Sequence, residues 1–329
     1  MWNDSKIEKA LEDKLKAEMG KDVGERIYAD YISARTYLCE NIYKYIAIAE
    51  PCLTDHSEEH VENVLKNVFH LLGDSLDNLN AIEAYFLCLS VLFHDVGNIN
   101  GRKDHNKKVF DIYDNAVRKD NRHIFERTFL LKAIEAHCGK NKDGNCDTLK
   151  YLDRTITLRD EKIRLQSLAA ILRFADELAE GPQRTSNYLI AQAKRQSRIY
   201  HIYASITNIN IDKADGRIVL RYLIDLDNEI ITNKTLQQLL NFICTRALKL
   251  DTERQYTKYY SEELSPFKKT EISISFFQNG ENINIPNLNK IELYDDFAIP
   301  NEEEPTHLMK KKLNTINIKQ ILKKLKLKK

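Results

Sequence analysis

The sequence predicts a mainly helical protein that carries a smaller α+β part. Glycine and proline are scarce across 329 residues, 10 and 6 respectively, and the first 190 residues read as helix after helix. Apolar residues there recur at the three-to-four-residue spacing of one helix face. Near residue 198 the pattern changes to runs of β-branched and aromatic residues broken by turn signals. Hydrophobic residues make up 43% of the chain, enough to fill a sizeable core.

In chain order, 5–19 is expected to be a short charged amphipathic helix, and 25–49 a longer one stopped by Pro51. Asp55, with Glu58 three residues on, has the form of a capping box. The helix it would start runs to about Leu72, with Val61, Val64, Leu65, Val68 and Leu72 along one stripe. Segment 81–93 is apolar nearly all round, as suits a buried central helix. Helices are expected at about 105–118, 123–138 and 161–180. Ile199–Asp212 and Arg217–Leu226 then look like two strands joined at Asp215-Gly216, a hairpin signal. A helix at about 234–251, a strand at Glu271–Phe277 and a short strand near Ile283 complete the α+β part. The domains expected are N-terminal helices (1–50), a helical domain (51–195), a small α+β region with the hairpin (198–290) and an acidic-then-basic tail (291–329).

With 50 basic and 49 acidic residues the net charge is +1, so no global field draws the chain to nucleic acid or membrane. Six cysteines without a C-x-x-C pair point to reduced thiols in the cytoplasm, not to a disulfide or zinc scaffold. The N-terminus lacks a signal peptide's apolar core. No uninterrupted apolar run reaches the ~18 residues of a membrane span. The stretch from Lys310 to Lys329 holds nine lysines and no acid, with isoleucine and leucine interspersed. It has the composition for contact with an anionic membrane or nucleic acid, although a solvated tail is the simpler expectation. The 198–290 region could serve a homodimer or a protein partner.

The chemistry lies in where His and Asp fall on these helices. An α-helix turns about 100° per residue, which puts Asp176 about 20° from Leu165. It therefore lies within the stripe of Leu168, Ala169, Leu172, Ala175 and Ala179. A carboxylate there needs a cation, either a basic side chain or a metal. His137 aligns with Leu130, Ala133 and Ile134, and His105 with Val109, Ile112 and Ala116. His60 borders the Val61 and Val64 stripe, and segment 81–93 runs straight into His94-Asp95, after which Gly97 is expected to turn the chain away. Imidazole and carboxylate together suit divalent transition ions such as Mn, Fe, Co, Ni or Zn, with Mg also within range.

His60-x-x-x-Val64, then Phe93-His94-Asp95-Val96-Gly97, then Leu172-Arg173-Phe174-Ala175-Asp176-Glu177-Leu178 resembles the H…HD…D signature of HD-superfamily metal-dependent phosphohydrolases, over about residues 40–190. Thr54-Asp55-His56-Ser57-Glu58-Glu59-His60, with His94-Asp95-Val96-Gly97-Asn98 and Gly101-Arg102, is similar to the HD-CE subgroup, which is associated with bacterial antiviral defence. The resemblance implies an HD helical bundle holding one or two divalent ions. His60, His94, Asp95 and Asp176 would be the metal ligands, and Asp95 would also bridge two ions or orient the attacking water. It gives His105 and His137 to a second metal or to the substrate phosphate, and makes Asp95 and His137 the catalytic candidates. Asn98 and the single His137-Cys138 depart from the HD-GYP branch, which expects lysine and a His-His pair.

Phosphate needs positive partners, and Arg102, Lys140, Arg173 and Arg184 are the candidates near the motif. His56, one turn before His60, could support a ligand as a hydrogen-bond donor. Tyr188 is a candidate to stack on a base, against its commoner role in a core. The function expected is hydrolysis of a nucleotide-like phosphoester by metal-activated water. The alternatives are an HD nuclease acting on single strands, which near-neutral charge disfavours, and a nucleotide-binding regulator in a defence system.

Overall fold

A computed structural model describes residues 5–49, 54–101, 109–117, 123–140, 144–194, 197–295, 300 and 318–325. Arg102, His105, Pro51 and the acidic run 302–304 lie outside the described residues, as does most of the lysine-rich tail. The chain forms two compact units. One comprises 1–179 with 257–265, the other 180–256 with 266–329.

The first unit is helical. Helix α1 (Lys6–Met19) starts at Ser5, which forms a reciprocal capping box with Glu8. Helix α2 (Lys21–Leu38) passes through a π turn (Cys39–Tyr43) into α3 (Lys44–Ala49), so the single helix expected over 25–49 begins earlier and is interrupted. Helix α4 (Glu58–Leu72) is capped by Ser57, not Asp55. Asp55 instead accepts from the Ser57 amide and hydroxyl, ordering the turn that precedes the helix. Helix α5 (Ala81–Phe93) is the centre of the core, with all thirteen of its residues buried. Together with the turn that follows it, Ala81–Asn100 is long and apolar enough by composition to cross a membrane, but 94% of its apolar 18-residue window is buried inside the protein, as in a core helix. Helices α6 (Val109–Ala116) and α7 (His123–His137) follow.

The helix expected over 161–180 is shorter, because Glu161–Ile163 is a strand. It forms β2 and pairs with β1 (Ile156–Leu158). Arg159 and Asp160 at the tip both have positive φ, the geometry of a tight two-residue hairpin turn. That is costly without glycine, and it is held by Arg159, which donates to the buried Glu126. Helix α8 then runs Leu165–Glu177.

One clamp sets the register of α5 and α8. Asn80 and Glu83 form a capping box at the start of α5. The Arg164 backbone and guanidinium both donate to Glu83, so α8 starts at the same corner. His94 is 11 residues beyond Glu83, and Asp176 is 12 beyond Arg164. At 1.5 Å per residue both helices advance about 17–18 Å and deliver His94 and Asp176 to one level.

The second unit holds α9 (Asn187–Gln192), α10 (Arg198–Ile206), and a sheet of β3 (Thr207–Asp212), β4 (Arg217–Asp225), β5 (Lys269–Gln278), β6 (Glu281–Ile283) and β7 (Ile291–Tyr294). The strand expected over 199–212 is half helix: Ile202, Tyr203 and Ala204 are buried in α10 before the chain extends at Thr207. The β3–β4 hairpin forms where expected, and a Cβ at Gly216 would strike the Pro266 carbonyl oxygen. β4 and β5 are parallel, joined by α11 (Asn233–Tyr260), which continues past residue 251. Its last turn, from Thr257, belongs to the first unit. β6 and β7 both pair antiparallel with β5. Helix α12 (Pro286–Asn289) precedes β7. Ile318–Leu325 forms a helix, α13, with Ile321 and Leu325 buried and Lys324 donating to the Asn284 carbonyl, so this part of the tail packs instead of being solvated.

Candidate metal centre

The first unit gathers His60, His94, Asp95 and Asp176, so that one ligand atom from each lies within 4.8 Å of every other. His60 comes from the first turn of α4 and Asp176 from the last turn of α8. His94 ends α5, and Asp95 leaves the helix at φ −116°, ψ 3°, which swings its carboxylate back over the site. The positive φ that ends the following turn belongs to Gly101, while Gly97 is buried within the turn, so Gly97 is not the residue that redirects the chain.

The Nε2 atoms of His60 and His94 face each other at 3.4 Å. His60 Nε2 lies 3.2 Å from Asp176 Oδ1 and 3.8 Å from Asp95 Oδ2. His94 Nε2 lies 3.4 Å from Asp95 Oδ2 and 3.6 Å from Asp176 Oδ1. The imidazoles are almost fully buried, whereas 14% of the Asp95 and 28% of the Asp176 side chain is exposed. Asp176 is thus less buried than its apolar stripe predicts, and it leaves one side of the cluster open to solvent.

Two histidines flank the four. His56 Nε2 is 3.8 Å from Asp95 Oδ2, and His137 Nε2 is 4.0 Å from Asp95 Oδ1. The Nδ1 of His94 lies 2.7 Å from the Val91 carbonyl oxygen, and those of His56 and His137 lie against the Thr54 and Ile134 carbonyls. A carbonyl can only accept, so each of these Nδ1 atoms carries the proton and turns Nε2 toward the site.

This arrangement fits a cation. Without one, two imidazole nitrogens and two carboxylates at 3.2–3.8 Å must be reconciled by protons. Burial opposes a charged His94, but Asp95 and Asp176 outweigh it and push its pKa up to about 9. Burial likewise opposes charge on Asp95, and His94, His56 and His137 hold it well below the usual carboxylate range. Asp176 is held low against burial by hydrogen bonds from His60 and His94. A divalent ion supplies in one atom the charge that these protons supply, and two imidazoles with two carboxylates are a donor set for a transition ion.

Several supports were not apparent in the sequence. Asn67 donates to the Ala175 carbonyl at 3.0 Å and ties α4 to α8 beside Asp176. The Tyr43 hydroxyl donates to the Leu92 carbonyl at 2.7 Å and fixes the end of α5. Arg173 is buried, and its Nη1 meets Thr148 Oγ1 at 2.8 Å and the Ala136 and Cys138 carbonyls, which holds the end of α7 where His137 sits. Lys140 is exposed just beyond α7. Arg184 belongs to the second unit, beside Glu180. Tyr188, at 71% exposure, is a surface residue there.

A helical bundle whose core helix ends in His-Asp, with a further His and Asp brought in by neighbouring helices, defines an HD-type domain. The HD-CE family model matches residues 50–243, more than half of the chain, and the protein belongs to that family. No curated protein and no solved structure matched the chain.

Proposed function

We propose that the protein is a metal-dependent phosphohydrolase or phosphodiesterase acting on a nucleotide-like phosphoester. The observation that carries this reading is the convergence of two imidazoles and two carboxylates from three helices, with one side open to solvent. A divalent ion of the Mn, Fe, Co, Ni or Zn type held by His60, His94, Asp95 and Asp176 would supply Lewis acidity, acidifying water and drawing charge from a phosphoryl oxygen. Asp95 lies among four imidazoles, His56, His60, His94 and His137, so its carboxylate can orient a water while sharing their charge. His137, with Nδ1 held by a backbone carbonyl and Nε2 facing Asp95, would as the imidazolium give its Nε2 proton to a leaving oxygen. His56 is placed to steady Asp95.

The test is phosphate or nucleotide release from a panel of nucleotides, cyclic nucleotides and single-stranded RNA and DNA, with each metal in turn. Turnover is expected with a small nucleotide and lost in Asp95→Ala. Turnover that survives Asp95→Ala contradicts the mechanism, and cleavage confined to single strands identifies a nuclease instead.

A further inference from the structure

The sheet of the second unit is guarded along one edge and open along the other. On the far side of β5 lie β6 and β7, strands of only three and four residues, a length that discourages pairing with another chain. β3 forms the opposite edge and pairs only with β4. It is six residues long and keeps unbroken register over Thr207–Asp212. It holds no proline, glycine or lysine, the residues with which edge strands are usually blunted.

Hydrogen bonding alternates along a strand, and the ends of β4 fix which residues face which neighbour. Gly216, just before β4, accepts from Lys268, and Leu226, just after it, donates to the Phe277 carbonyl. The even-numbered residues of β4 therefore face β5, and Arg217, Val219 and Arg221 bond to Asp212, Asn210 and Asn208. It follows that Ile209 and Ile211 point their N–H and C=O groups away from the sheet. Among the described residues no backbone hydrogen bond reaches those groups. The Thr207 N–H, by contrast, is bonded to the Ala204 carbonyl at the end of α10. Ile209 and Ile211 lie opposite the fully buried Leu220 and Ile218 yet are partly exposed, so the apolar face of the sheet ends at a bare rim. Asn208 and Asn210 are exposed on the other face, and Asp212 is held by Arg217.

We infer that β3 pairs antiparallel with β3 of a second copy of this chain, about a two-fold axis at Asn210. In that register Ile209 opposes Ile211 of the other copy, their outward backbone groups bond to each other, and the two apolar rims meet. Asn210 faces its own copy, and an amide both donates and accepts, so it pairs with itself as a charged residue cannot. Asn208 faces Asp212 of the other copy, an amide against a carboxylate, and no like charges are opposed. The occupant is a second copy because Asn-Ile-Asn-Ile-Asp is complementary to its own reverse. One strand pair makes a small interface, in the class below about 1,200 Å² that gives weak and reversible complexes. The inference does not depend on the metal-centre reading.

The experiment is sedimentation equilibrium of the full chain from about 1 μM to about 500 μM, the span in which a weak complex dissociates. Wild type is expected to pass from one chain to two. Ile209→Pro removes an outward N–H that the chain's own sheet does not use, and Asn210→Asp sets two carboxylates face to face. Each should raise the dimer Kd at least about tenfold. Mixing Asn210→Asp with Asn210→Lys should restore the dimer, a recovery that a merely damaged strand would not give. Under mild oxidation, and measured against wild type, Asn210→Cys should form a disulfide-linked dimer. Asn208→Cys should not, because the register leaves it about 13 Å from its copy. A wild-type chain that stays single throughout overturns the inference, as does a dimer that Ile209→Pro and Asn210→Asp leave unchanged. Cross-linking of Asn208→Cys in place of Asn210→Cys contradicts the register. Should Ile209→Pro fail to fold, the charge-swapped mixture and the two cysteine variants decide, since both replace exposed residues.

Discussion

Two imidazole nitrogens 3.4 Å apart, each facing two carboxylates, set the chemistry at the scale of single residues. The His94 pKa of about 9 in the metal-free protein has a direct consequence. Below pH 9 an incoming ion must displace that proton, so metal affinity should rise about tenfold for each pH unit up to 9 and level off above it. Titrating Mn²⁺ at pH 7 and pH 8 checks this, and equal affinities contradict it. For the metal-free protein the sign is opposite. A folded pKa raised above the ordinary 6.5 stabilises the fold below about 6.5, and that contribution is lost as pH rises through 9. Asn67→Ala should weaken metal binding by about 10-fold by releasing Ala175 beside Asp176, in the 10–100-fold range for a ligand's supporting contact. Unchanged affinity would show that Asp176 is positioned by α8 alone. Of these features, Asp176 was legible because a carboxylate in an apolar helical stripe demands a partner. Asn67 was not, because an asparagine on a helix carries no sequence signal until its acceptor is known.

The helices are placed by their ends, and the ends are where reading the sequence was weakest. The clamp of Arg164 on Glu83 and Glu263 starts α5 and α8 from one corner. Arg164→Ala should cost about 3 kcal/mol, because it leaves two buried carboxylates without their cation, measurable as a lower denaturant midpoint. A change under about 0.5 kcal/mol, the range of an ordinary surface substitution, would show that the clamp is dispensable. The periodic interiors of α4, α5, α7 and α8 were legible. The β1–β2 hairpin was hidden, since its tip is Arg159-Asp160 and lacks the glycine or asparagine that announces such turns. Helix α10 has the composition of a strand, since Ile199–Ile206 is β-branched and aromatic, and the packing of Ile202 and Tyr203 overrides it. Asp215-Gly216 gave the next hairpin correctly because Gly216 has a backbone constraint that composition displays.

On the scale of the whole molecule, the fold concentrates charged imidazole and carboxylate around one point in an apolar bundle, so the folded state is tied to what occupies that point. An ion that binds only the folded chain stabilises it by about 2.7 kcal/mol at a hundred times its Kd. Chelation should therefore lower the thermal midpoint, and Mn²⁺ should restore it. A midpoint indifferent to chelator would separate the cluster from metal altogether. The most direct test of the account is a metal titration of the chelator-treated protein alongside His60→Ala, His94→Ala, Asp95→Ala and Asp176→Ala. A single shared centre requires that each substitution, though the four residues come from three helices, weaken the same binding event by more than 100-fold. Wild-type metal affinity in Asp176→Ala or His60→Ala would contradict it.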